Sequence, residues 1–229
     1  MFKFKELYEL WRSDNLLTQA LNDTYAMLES TNEMFRESVK SLRLSDDGEM
    51  GIDVFEKDHI VNKYEQEVRR KVLKHLVITG GVNIIPGLIL TSIVIDIERI
   101  GDYTKNIMEL AVAHPKRLSC GKYEEDIRRI EKGTEKVFEK IIPALKETDK
   151  DTARRLMKED YALVRLCDDI VAALIKNEEP ALTRSDFVTT ALYVRYLKRI
   201  MAHLMNVASS VVNPFEGLGF REDEEYERK

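Results

Sequence analysis

Apolar residues recur at three- and four-residue spacings along almost the whole chain, and no sustained alternation marks a strand. The pattern predicts an all-α fold of six long helices. The first runs from about Leu16 to Leu42, with a short amphipathic piece, Phe4 to Trp11, ahead of it. Ser45-Asp46-Asp47-Gly48, with Gly51 just beyond, breaks the pattern. The second helix runs from about Asp53 to Ile78, where Gly80-Gly81 gives a strong stop signal. The third starts near Pro86, with Asn83 as its start signal, and Pro115 ends it after His114. The fourth covers about Tyr123 to Lys146, and Pro143 is expected to kink or loosen its end. The fifth covers about Thr152 to Lys176, closed by Asn177 and Pro180. The sixth starts at Thr183, with Asp186 three residues on as a capping-box-like pair, and stops before Pro214. The tail from Arg221 to Lys229 is too charged to pack and is expected to fray.

The pattern also repeats. Met34-Phe35 through Val39, Leu42 and Asp46 aligns with Val137-Phe138 through Ile142, Leu145 and Asp149. Asp58 falls on Asp160, with Val61, Tyr64 and Val68 on Leu163, Leu166 and Ile170. Arg99-Ile100 and Asn106 fall on Arg199-Ile200 and Asn206, with Ile97 and Ile107 on Leu197 and Val207. The offset holds to within a few residues across three helices in one order, which argues for a duplicated three-helix unit. Two tandem three-helix bundles follow: residues 1–118 as a first repeat with an N-terminal flap, 119–213 as a second, degenerate repeat, and 214–229 as a charged tail.

One stripe stands out against this apolar background. Glu98, Asp102 and Asn106 are spaced i, i+4, i+8 and so share a helix face, set among isoleucines. Like charges one turn apart repel, and burying either needs a cation or a donor. Asp58 and Asn62 lie one turn apart on the preceding helix, which a compact unit must pack against the third. The four residues Asp58, Asn62, Glu98 and Asp102 would then form an oxygen-rich patch between two helices, the way helix bundles build metal sites. Hard oxygen ligands suit magnesium, calcium, manganese or iron better than zinc. The bland alternative is a solvated helix face.

The second repeat rewrites the patch: Lys198 stands at the place of Glu98, Ala202 at that of Asp102 and Val164 at that of Asn62. Lys198 would repel a metal and could instead neutralise Asp160 or bind an anion; His203 reads as structural. Glu56-Lys57-Asp58-His59 has the Glu-x-x-His spacing of di-iron proteins, but that chemistry needs the motif twice, and His75, His114 and His203 lack an acidic residue three positions before them. No phosphate-binding glycine loop, no Gly-x-Ser-x-Gly and no Cys–His order is present. Arg69-Arg70-Lys71 with Lys74 reads as a solvated face, and Tyr193 and Tyr196 as core-edge residues. Phe2, Phe4, Tyr8 and Trp11 could touch a membrane surface, although a flap packing on the bundle is the simpler expectation.

Composition narrows the class. The chain has 229 residues, 44% hydrophobic and 34% charged, the balance of a helix-rich globular protein. A net charge of -5 argues against a general nucleic-acid binder. Cys120 and Cys167 are far apart and outline no disulfide framework. Met1–Leu7 lacks the apolar core of a signal peptide, and the run Val82 to Ile95 is too interrupted and too short for a membrane helix. The expected location is cytoplasmic.

The segment from Ile97-Glu98-Arg99-Ile100-Gly101-Asp102 to Asn106-Ile107 resembles the E(D)xxxD signature of PhoU-type phosphate-uptake regulators. Asp58-xxx-Asn62 is similar to the acidic motif on that family's second helix, and the duplicated unit matches from about Leu16 to Val212. The resemblance implies two three-helix bundles side by side, no catalytic activity, and metal clusters on the E(D)xxxD surface. Glu98 and Asp102 would be metal ligands with Asp58 and Asn62 as neighbours, for divalent metal or iron ions; iron, magnesium, manganese and zinc are left open. It also implies a role restraining phosphate import or a phosphate-sensing kinase, through contact with a membrane phosphate transporter subunit or a sensor histidine kinase. No nucleic acid, at most a peripheral place on the membrane, and a homodimer as one assembly to consider complete the expectation. Two alternatives stay open: an accessory protein of another ion or Pit-type transporter, and a carboxylate-bridged metal oxidoreductase. A purely structural adaptor with a solvated stripe is a third.

Overall fold

A computed structural model describes residues 15–46, 48–114, 116–176 and 182–220, the side chain of Asp160 excepted. Among these the chain forms six long helices and no strand: α1 Leu16–Leu44, α2 Val54–Ile78, α3 Ile84–Ala113, α4 Glu124–Glu147, α5 Lys150–Ile175 and α6 Arg184–Val212. Short 3-10 turns cover Gly121–Tyr123 and Phe215–Gly217. The expected piece Phe4 to Trp11, the stop at Pro115, the closure at Asn177 and Pro180, and the tail from Arg221 lie outside the described residues.

Side-chain caps set most of the helix starts. Asn15 Oδ1 accepts from the amides of Leu17 and Thr18, and Asp53 Oδ1 from that of Glu56. Asp149 caps α5 through the Thr152 amide, so the helix begins two residues before Thr152, the expected start. Thr183 Oγ1 accepts from the Asp186 amide at 3.1 Å and donates to the Asp186 carboxylate at 2.6 Å, the capping pair read from the sequence. Asn83 differs from expectation: it precedes α3 in the left-handed region, φ 65°, and its side chain caps nothing. It completes a turn in which Gly80 and Gly81 also take positive φ, a conformation that glycine adopts without steric cost. Pro143 does not stop α4, which runs on to Glu147. The amide it lacks leaves the Glu139 carbonyl without its donor four residues on, a single bond lost in the last turns of the helix.

α1, α2 and α3 pack as one bundle and α4, α5 and α6 as a second, joined where α1 meets α4 and α3 meets α6. The core holds Leu28, Met34, Phe35, Ile97, Ile100 and Ile107 on one side and Ile127, Ile130, Leu197, Ile200 and Leu204 on the other. Each such side chain stabilises by about 1.5–3 kcal/mol on leaving water. Equivalent residues of the two repeats meet at the junction. Phe35 and Phe138 sit with ring centroids 5.4 Å apart, and Tyr103 stacks on His203 at 5.8 Å. Such like-on-like contact is the mark of a two-fold relation, here within one chain.

A buried ionic knot fastens the same junction. Arg43, at the end of α1, donates to Glu131 Oε1 at 2.9 Å, to Glu124 Oε1 at 2.5 Å and to the Leu118 carbonyl at 2.6 Å. Glu131 Oε1 also accepts from the Tyr193 hydroxyl at 2.7 Å. Tyr193 is therefore fully buried, not a core-edge residue as its position on the helix suggested. Burial pushes the Glu131 carboxyl up, and Arg43 and Tyr193 pull it back down without cancelling the rise.

Candidate functional site

The acidic stripe faces the groove between α2 and α3. Asp58 lies in the second turn of α2 and points inward, with its side chain 6% exposed, while His59 beside it is exposed. Glu56 and His59, the Glu-x-x-His pair, are both exposed and leave the inward position to Asp58. Asn62, one turn on, is half-buried. On α3, Glu98 and Asp102 are half-buried beside Ile97 and Ile100, which are fully buried. Gly101 of α3 lies over the same groove. A Cβ there would stand 3.5 Å from Val61 and 3.9 Å from Asp58 Oδ1, so the backbone of α3 passes right over the carboxylate of α2.

The sequence reading missed Lys105. Its Nζ donates to Asp58 Oδ2 at 2.8 Å and to Asp102 Oδ1 at 3.1 Å, a single ammonium between two carboxylates from two helices. Burial draws the Lys105 ammonium down, and its bonds to Asp58 and Asp102 outweigh this, so its pKa rises. Arg99 takes the other oxygen of Asp102 at 3.2 Å and lies 3.6 Å from Glu98. Three carboxylates thus face two cations, and the uncompensated charge falls on Glu98. Its carboxyl is raised, first by burial and then by Asp102, with Glu65 and Asp58 adding to it against Arg99.

The donor set has the chemistry of a hard-cation site, two aspartates, a glutamate and an amide. Its arrangement does not fit a metal. Both oxygens of Asp102 and one of Asp58 are held by Lys105 and Arg99. Among the described residues, no three His, Cys, Asp or Glu side chains converge as a metal-holding group. An ion would have to expel the ammonium first.

The PhoU domain matches the chain twice, over residues 24–111 and 127–211. The chain belongs to the PhoU family. The crystal structure of PhoU from Pseudomonas aeruginosa is similar, with a TM-score of 0.74, 22% identity, and 86% of this chain covered against 95% of that one. That of the phosphate transport system regulatory protein PhoU from Streptococcus pneumoniae gives a TM-score of 0.75 at 15% identity, covering 86% and 93%. At these identities the likeness is one of fold. No curated protein matches the chain.

The second PhoU domain carries no copy of the patch. Lys198, at the position of Glu98, places its Nζ on Asp168 of α5 at 2.5 and 2.7 Å. Whether it also neutralises Asp160, one of the two roles read from the sequence beside anion binding, falls on a side chain outside the described residues. Met205 stands at the position of Lys105. His203 and Asn206 turn instead to the other PhoU domain: Nδ1 of His203 and Nδ2 of Asn206 both lie 2.8 Å from Asp96 Oδ1. His114, at the end of α3, reaches Asp186 of α6 at 3.1 Å. Cys120 and Cys167 are buried and unbridged, and burial raises their thiols to about 11 and about 12. These thiols are inert at neutral pH.

Proposed function

We propose that this protein regulates phosphate transport and phosphate-responsive signalling in the cytoplasm, by binding a membrane phosphate transporter subunit or a sensor histidine kinase. The observation that carries the reading is that two PhoU domains make up nearly the whole folded chain. Three features support action by contact without catalysis. The histidines His114 and His203 are tied into the junction between the repeats, and both thiols are buried. Among the described residues, no helix is long and apolar enough to cross a membrane, so a membrane partner would be met at its surface. The end of α2, the turn after it and the start of α3 carry exposed Leu73, Val77, Ile78, Val82 and Ile84, with Val77 at 73% and Ile78 at 75%. Apolar side chains gathered at one tip fit a protein partner.

Gene deletion in the host tests the reading. Phosphate uptake and phosphate-responsive transcription should both rise in phosphate-rich medium, and the intact gene should restore them. Unchanged uptake and unchanged transcription would contradict it. Altered uptake of a different ion would point to the transporter-accessory reading.

A further inference from the structure

We propose that Lys105 serves as a built-in cation for the acidic stripe of the first repeat, holding α2 to α3 in the place a metal ion would take. The ammonium meets the requirement that two carboxylates one helix apart impose. It stands 2.8 Å from Asp58 and 3.1 Å from Asp102, within ordinary charge-assisted hydrogen-bond range. Its two oxygen partners come from different helices, as the ligands of a bridging ion would. It reaches the groove from α3 itself, so the neutralising charge is covalently present whatever the ionic composition of the cell.

The second repeat offers a shallower parallel. There too an ammonium spans the second and third helices of the unit, Lys198 on Asp168. The two lysines are not equivalent in the alignment, since Lys198 takes the place of Glu98 and Lys105 that of Met205. The second pair thus arises at a different position and engages one exposed carboxylate, where Lys105 engages two. The proposal holds whichever partner the protein binds.

Titration with Mn2+ alone, a hard oxygen-seeking ion, tests it at neutral pH on the full-length protein. Wild-type protein should show no stoichiometric uptake and no change in Tm with Mn2+. Lys105→Met vacates the groove and leaves its carboxylates, so it should bind Mn2+ at least about tenfold more tightly than wild type and gain Tm from it. Asp58→Asn with Lys105→Met removes the ammonium and its buried partner and should be more stable than Lys105→Met alone, without its gain in Mn2+ affinity. Stoichiometric Mn2+ uptake by wild type that disappears with Glu98→Ala and Asp102→Ala overturns the proposal, and this measurement needs no lysine variant to fold. A folded Lys105→Met that binds Mn2+ no better than wild type overturns it equally.

Discussion

In the first repeat Lys105 closes on an aspartate whose side chain is 6% exposed; in the second, Lys198 closes on one that is 54% exposed. The helices joined are the equivalent pair, so the two clasps differ in depth and in the number of carboxylates held, two for Lys105 and one for Lys198. An exposed pair gains little over the hydration it replaces, about 0–1 kcal/mol. A buried carboxylate that loses its only cation keeps the full cost of leaving water. The first clasp is therefore part of the fold and the second an ornament on it.

The comparison assumes that the two repeats unfold as one body, and Arg43 is where that breaks. Arg43→Met strands Glu131 in the junction and should cost about 3–5 kcal/mol in chemical denaturation, splitting one transition into two. A single transition with unchanged midpoint would show that Arg43 does not fasten the junction. Next in size, Lys105→Met should cost about 1.5–3 kcal/mol, below the figure for a fully enclosed pair because its own side chain is 24% exposed. Lys198→Met should cost less than about 1 kcal/mol. Equal losses at the two lysines would break the comparison.

A pH effect sharpens it. The Glu98 carboxyl is raised above the ordinary 4.5, so the folded state holds that proton more tightly than the unfolded chain does. Its ionisation therefore removes stability as pH rises from about 4.5 through the raised folded value. Glu98→Gln should gain somewhat less than about 1 kcal/mol at pH 7, and the gain should fade below the ordinary glutamate range. A gain that persists unchanged in acid would mean that charge is not its cause. Smallest of all, Gly101→Ala meets only ordinary contacts, 3.5 Å at the nearest, and should be neutral or stabilising by up to about 1 kcal/mol through helix propensity.

The six helices were legible because each carries a period, a cap or a stop in its own sequence. Even the duplication was legible, and Phe35 on Phe138 with Tyr103 on His203 makes it physical. The stripe was half legible. Its carboxylates stand out by spacing, and Lys105, three residues after Asp102, was within reach of the same argument. A charge on the far side of a carboxylate reads as ordinary helix surface until a facing helix places Asp58 beneath it. Arg43 and Tyr193 gave no such signal: their partner Glu131 lies 88 residues from one and 62 from the other, and only packing brings them together. Asn83 marked the start of α3 correctly, but through its left-handed backbone and not through a side-chain cap.

A double-mutant cycle over Asp58→Asn and Lys105→Met, read by chemical denaturation at neutral pH without added metal, tests the central claim most directly. The account predicts a coupling above about 1 kcal/mol, with the double variant recovering much of what Lys105→Met loses. Additive losses, with a coupling near zero, would show that Lys105 does not hold the two helices together.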